Sequence, residues 1–290
     1  MDEAAFRSIP KVDAHMHIQC ESDAFIRQAA ADGFQLITFV AGSERVSDID
    51  ADFERGAMAV KIWKDVGMVL RDPTGRFIRA DDERFDPLFD HIALADKTLA
   101  AHLGEPRMCW IPLEDMPGDG GYYRKHPEYH MYLHPDHPPY EAHLEARDNM
   151  LEKHPNLRVV GCHIGSMEHD VSMVAEWFER FPNFAVDLSA RISSLKRQDS
   201  DKVREWFLAW ADRILYGTDL VMRPSDDPQA YAQRVHETWL SDWEYLSTDK
   251  EEPSPHKNEE GVIFKGLSLP EEILRKVYSE NAKTWYPELP

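Results

Sequence analysis

In the run KVDAHMHI, residues 11–18, the order Asp13-Ala14-His15-Met16-His17 alternates apolar and polar side chains in the manner of a β-strand. On an extended strand His15 and His17 project to one face, while Ala14, Met16 and Ile18 turn to the other and pack against helices. Two imidazoles then converge on one point. Three more strand-like runs end in residues of matching chemistry: His102 in LAAHLGEP, His163 in VVGCHIGS and Asp219 in ILYGTDL. Imidazole and carboxylate suit a borderline divalent ion such as Zn2+, with Mn2+ or another divalent ion also compatible, and a catalytic ion of this type keeps one position open for water.

Other residues are chemically notable against a plainer background. Lys61 interrupts the apolar run AVKIW, where an inward ammonium could bind a substrate carboxylate or, if carbamylated, bridge a second metal. A buried unpaired ammonium is costly, so a carboxylate partner or a place at a barrel mouth is the plainer account. Trp63 and Lys64 follow at the strand end. Arg191, just past FAVDLSA, could meet an anionic group with a bidentate fork or pair with a nearby acid. Glu105 in HLGEP is a candidate support for His102, and Trp110 a candidate apolar wall. Five histidines, His126, His130, His134, His137 and His143, crowd one stretch, but interleaved prolines and tyrosines favour a capping lid over a metal tract.

Seven β-rich runs must position these groups: 12–18, 35–40, 59–63, 99–103, 157–164, 184–189 and 213–220. They alternate with amphipathic stretches near 87–96, 140–155 and 170–182, the rhythm of βα units around a parallel sheet or barrel. VREWFLAW at 203–210 reads as core or interface packing rather than a ligand shelf. An eighth strand is not readable, and 42–55 could hold a degenerate strand or a helix. The segment from Glu105 to Tyr140 carries seven prolines together with Gly118, Gly120 and Gly121. It is far longer than an ordinary connection and reads as a functional cap. Residues 247–261, polar and charged, read as a surface excursion.

The 290 residues are 42% hydrophobic and 30% charged, an ordinary globular balance, and α/β barrels of this length form single domains, here 1–290. A net charge of −20 argues against nucleic acid and anionic membrane surfaces as partners. It leaves a small-molecule substrate and self-association open. Three cysteines without paired spacing fit a reducing cytoplasm, and no export signal or run of about 18 apolar residues is present.

The set KVDAHMHI, VKIW, HLGEP, HPNLRVVGCHIGS, FPNFAVDLSAR, RILYGTDL and LPEEILRKVYSENAKTWY, in this order, resembles the amidohydrolase-related branch of the amidohydrolase superfamily. That branch includes aminocarboxymuconate semialdehyde decarboxylase, resorcylate decarboxylase and sugar lactonases. The resemblance implies a distorted (β/α)8 TIM barrel with a long capping loop. It also implies one divalent metal on His15, His17, His102 and Asp219, with His163 as the catalytic histidine and Asp219 as a proton acceptor. A bound divalent ion brings the pKa of its water from about 15.7 toward roughly 7 and stabilises an oxyanion. The expected function is therefore metal-dependent hydrolysis of a lactone, ester or amide, with Lys61, Trp63, Glu105, Trp110 and Arg191 around the substrate. The alternatives are decarboxylation or hydration of a small carboxylic acid on the same scaffold and, third, metal binding without turnover. The compressed second and third strands and the His- and Pro-rich insertion depart from the family pattern, so specificity does not carry over.

Overall fold

The computed structural model describes residues 3–38, 46–117 and 120–289. Its strands are β1 Lys11–Ile18, β2 Phe34–Thr38, β3 Ala59–Ile62, β4 Thr98–Ala101, β5 Arg158–Gly161, β6 Phe184–Asp187, β7 Ile214–Leu215 and β8 Leu220–Met222. All pair in parallel, in two arcs ordered β2-β1-β8 and β3-β4-β5-β6-β7. The run 213–220 thus splits in two: Ile214–Leu215 pairs with β6, and Leu220–Met222 pairs with β1. This broken segment joins the arcs on one side. On the other, no pairing between β2 and β3 occurs among the described residues; of the ambiguous stretch 42–55, residues 42–45 lie outside the described residues and the rest carries the helix Val46–Glu54. The end of the 35–40 run lies outside the described residues. The result is a distorted TIM barrel.

One register step governs the site. Along β1 and β2 the partners are Lys11 with Phe34, Val12 with Gln35 and Asp13 with Leu36, and then Met16 with Thr38. Three steps on β1 meet two on β2, which is a bulge, and a bulge re-aims the side chains that follow it. Val12 and Ala14 share a face and pack with Val160, Ala185, Leu215 and Trp285 inside the barrel, and the step lets His15, next to Ala14, turn to the site as well. This corrects the strict alternation read from the sequence, in which Ala14 faced the helices. Met16 does join the larger cluster between strands and helices.

The outer helices form where apolar residues recur at three and four. Asp86–Leu94, Tyr140–Lys153 and Val171–Arg180 match the three predicted stretches. The last is capped by Asp170, whose carboxylate accepts the Ser172 N–H, and it buries Val171, Val174, Trp177 and Phe178. Ser200–Trp210 buries Val203, Trp206 and Phe207, as core packing requires. Pro228–Ser247 starts on an Asp227 cap and presents Tyr231, Val235, Trp239, Trp243 and Leu246 to the barrel. Among the described residues no helix is long and apolar enough to cross a membrane.

The insertion after β4 is a series of short turns with one helix, Gly121–Lys125, held by its own cluster of Met68, Cys109, Met116, Tyr123 and Met131. Gly118 lies outside the described residues. The later excursion forms a hairpin of β9 Glu251–Pro253 and β10 Ile263–Lys265, and Asn258 reaches across to donate to the Met116 carbonyl at 3.1 Å.

Candidate functional site

Beyond the bulge, His15 and His17 reach the C-terminal end of β1 on the same side. Asp219 meets them there. One of its carboxylate oxygens lies 3.2 Å from His15 Nε2 and 3.2 Å from His17 Nε2. The ligand atoms of these three residues all fall within 4.8 Å of one another. Asp219 stands in the break between β7 and β8, at φ +61°, rather than within a strand. His163 likewise lies just past β5, at φ +60°. Left-handed backbone at a residue other than glycine is unfavourable, so these turns persist only because neighbouring contacts fix them.

For His163 those contacts come from β6. Asp187, fully buried, accepts from His15 Nδ1 at 2.9 Å through one oxygen and from the His163 N–H at 2.9 Å through the other. Ser189 Oγ donates to Asp187 and lies 2.8 Å from His15 Nδ1. A proton is thereby held on His15 Nδ1, and Nε2 is the nitrogen turned to Asp219. Carboxylate-backed imidazole of this kind is the arrangement that orients a metal ligand. His163 Nδ1 donates to the Ser189 carbonyl at 2.8 Å, which leaves its Nε2 unprotonated, 3.8 Å from Asp219.

His102, in the turn after β4, is not in the tight group of three. Its ring packs against His163 at 4.2 Å between centroids and against Trp63 at 5.4 Å. It is buried, and neither ring nitrogen has a hydrogen-bond partner among the described residues. Buried polar atoms are ordinarily satisfied, so an imidazole orphaned at both nitrogens beside a carboxylate and three other imidazoles fits a cation-binding role. Burial, reinforced by the His163 ring, holds the His102 pKa well below its ordinary value. Burial and then Arg191 bring His163 to about 3. Both are neutral imidazoles at pH 7, the form that binds metal. For Asp219, burial raises the carboxyl, but hydrogen bonds from His15 and His17, and then the charge of His15, outweigh it and hold it far below the usual carboxylate range. The donor set of imidazole nitrogens and one ionised carboxylate thus fits a divalent ion.

These groups form one end of a cavity of about 1160 Å3. Its walls include Lys61, Trp63, Lys64, Glu105 and Arg191, and the insertion roofs it with Tyr122, Tyr123 and His126. Lys61 Nζ lies against His15 Nε2. Glu105 does not support His102. It is buried in an ion pair with Lys64 and stands 3.8 Å from Arg191 Nη2, because two cations flank it and His102 offers it no contact. Trp110 is not in the cavity wall: its ring packs on Tyr140 and His143, and its indole N–H donates to the Pro138 carbonyl at 3.4 Å. Of the crowded histidines only His126 reaches the cavity. His130 and His134 hydrogen-bond the Ile111 and Pro127 carbonyls inside the roof.

Sequence reasoning missed Asp187, Ser189 and the roof's ties to Lys64. Asp187 and Ser189 alternate in FAVDLS, and two polar side chains on the inner face of an otherwise apolar strand were the available signal. Lys64 donates to the Tyr122 hydroxyl at 2.6 Å and sits 3.8 Å over the Tyr129 ring, contacts that join segments 58 and 65 residues apart and leave no local mark.

Among solved structures, the chain is similar to a dihydroorotase from Campylobacter jejuni, at 10% identity and TM-score 0.52 over 97% of this chain and 85% of that one. It is also similar to an uncharacterized TIM-barrel protein from Bordetella bronchiseptica, at 16% identity and TM-score 0.48 over 98% and 80% of the two chains. A third is a dihydroxybenzoic acid decarboxylase from Polaromonas with bound manganese, at 15% identity and TM-score 0.45 over 91% and 73%. No curated protein sequence matches. Residues 12–287 match the amidohydrolase family, nearly the whole length of the barrel and its roof, and the chain belongs to that family.

Proposed function

We propose that the protein is a metal-dependent hydrolase acting on a small carbonyl compound that carries an anionic group, with His15, His17, His102 and Asp219 holding one divalent ion. The observation that carries this reading is the meeting of His15 Nε2 and His17 Nε2 on a single Asp219 oxygen, 3.2 Å from each, at the end of a large cavity. A divalent ion held there supplies Lewis acidity toward a carbonyl and lowers the pKa of a water.

The residues of the chain do the rest. Asp219 accepts a proton from the attacking water through its second oxygen. His163 receives or returns a proton at Nε2, since its Nδ1–H is committed to the Ser189 carbonyl; it cannot donate to a carbonyl until it has been protonated. Lys61 and Arg191 hold the substrate's anionic group, and Trp63 forms an apolar wall. In a protein of net charge −20, this cationic lining draws an anion toward the site.

Decarboxylation or hydration of a small carboxylic acid is the second reading, favoured by the same lining, because Lys61, Lys64 and Arg191 can receive a carboxylate beside an unprotonated His163 Nε2. The test loads the purified protein with Zn2+ or Mn2+ and follows panels of lactones, esters and amides against aromatic and enol carboxylic acids. Acid release that vanishes in His15→Ala supports hydrolysis. Carbon dioxide release without hydrolysis moves the assignment to the lyase, and no turnover with any member while metal stays bound favours a binding role.

A further inference from the structure

Asp13 shares the strand of the two histidines but, lying before the bulge, faces away from the cavity. It is fully buried, and both carboxylate oxygens are used twice. One accepts the Thr218 N–H at 3.0 Å and the His15 N–H at 3.3 Å; the other accepts the Thr218 hydroxyl at 2.7 Å and the Trp239 indole N–H at 3.0 Å. A single side chain therefore grips the backbone of one proposed metal ligand, His15, and the residue just before another, Asp219.

The segment it grips is irregular. Between β7 and β8 the strand is broken, and Asp219 is left-handed at φ +61°. Two backbone hydrogen bonds lace this break to β1, Ala14 N–H to the Tyr216 carbonyl at 3.0 Å and Asp219 N–H to the His15 carbonyl at 2.7 Å. The approach is so close that a Cβ on Gly217 would stand 3.0 Å from His15 Cβ and 3.3 Å from His15 N. Thr218 fills the remaining gap with both of its donors turned to Asp13.

We propose that Asp13, backed by Trp239 and acting through Thr218, is the positioning residue that sets the distance between His15 and Asp219 and so the geometry of the metal centre. This rests on the reading of His15 and Asp219 as ligands. Asp13 touches neither substrate nor ion; removing it frees the left-handed turn and lets the Asp219 carboxylate drift from the imidazoles.

The experiment titrates metal-free protein with Zn2+ against a competing chelator and records the visible spectrum after Co2+ loading, which reports ligand geometry independently of activity. Asp13→Ala and Thr218→Val are expected to weaken Zn2+ binding by about 10–100-fold, as loss of groups that orient ligands does. Both should alter the Co2+ bands, while Thr218→Ser, which keeps the hydroxyl, stays near wild type in both. Thermal unfolding of each metal-free variant separates this from simple destabilisation; should Asp13→Ala not fold, the Thr218→Val and Thr218→Ser pair decides. Wild-type affinity and an unchanged spectrum in Thr218→Val overturn the positioning role and leave the ligand assignment standing. A wild-type protein that binds neither ion removes both.

Discussion

Asp187 ties His15 to His163: one of its oxygens lies 2.9 Å from the His15 ring nitrogen Nδ1, and the other receives the backbone N–H of His163 at 2.9 Å. The carboxylate thus fixes a tautomer on one residue and a left-handed turn on the other. In Asp187→Asn the amide can keep only one of these roles, and Zn2+ affinity should drop by about 10–100-fold. Elemental analysis after dialysis against a mild chelator checks this, with near-full metal content in wild type and substoichiometric content in the variant.

The Lys64–Glu105 pair in the cavity wall predicts a stability effect. Both side chains are buried, and removing one partner leaves an uncompensated charge, which costs about 3–5 kcal/mol in such settings. Arg191, 3.8 Å from Glu105, offsets part of that, so Lys64→Met should fall at the low end. Urea unfolding should show Lys64→Met/Glu105→Gln to be more stable than Lys64→Met alone. The reverse order would mean that the pair does not act as a unit.

His143 gives a pH dependence with a definite sign. It is buried behind the roof between Gly67 and Gly104, and burial lowers its pKa to about 4, against 6.5 for a free histidine. Between these values the unfolded chain binds a proton that the folded protein does not, so acidification from pH 6.5 to 4 destabilises the fold. The full window corresponds to about 3 kcal/mol at 1.36 kcal/mol per unit. His143→Gln should flatten the decline of unfolding free energy across that window relative to wild type, and parallel curves would contradict the assignment.

Substrate anchoring has its own signature. Arg191 is turned to the cavity beside the paired Glu105, and a charged hydrogen bond of this type contributes about 1.5–3 kcal/mol. For a carboxylated substrate, Arg191→Met is expected to raise KM roughly 10–100-fold with a smaller change in kcat. A loss confined to kcat would place Arg191 in the chemical step instead.

What could be read from the sequence divides along the reach of each interaction. Most strand runs and the outer helices follow from local periodicity, although 213–220 divides into two strands. His17, His102 and His163 stand at or just past strand ends, while His15 lies inside β1 and Asp219 in the break between β7 and β8. The orientation of Ala14 was not legible, because the bulge exists only as a mismatch between β1 and β2. Nor was the partner of Glu105: its proximity to His102 in sequence suggested one contact, and two cations from distant segments made another. Trp110 was misjudged for a similar reason, since the chain turns sharply after Pro106 and carries the indole under the roof.

The cluster of Met68, Cys109, Met116, Tyr123 and Met131 under the roof is separate from the clusters that hold the barrel. Floor and ceiling of the cavity therefore rest on different buried residues, with Trp110 packed against both. Exchanging side chains overhead redraws the space offered to a substrate while His15, His17 and Asp219 keep their footing, so new specificities are open to this protein by change in a stretch that its catalytic end does not depend on for its shape. Three of those five buried residues are methionines, whose unbranched side chains repack readily around altered neighbours.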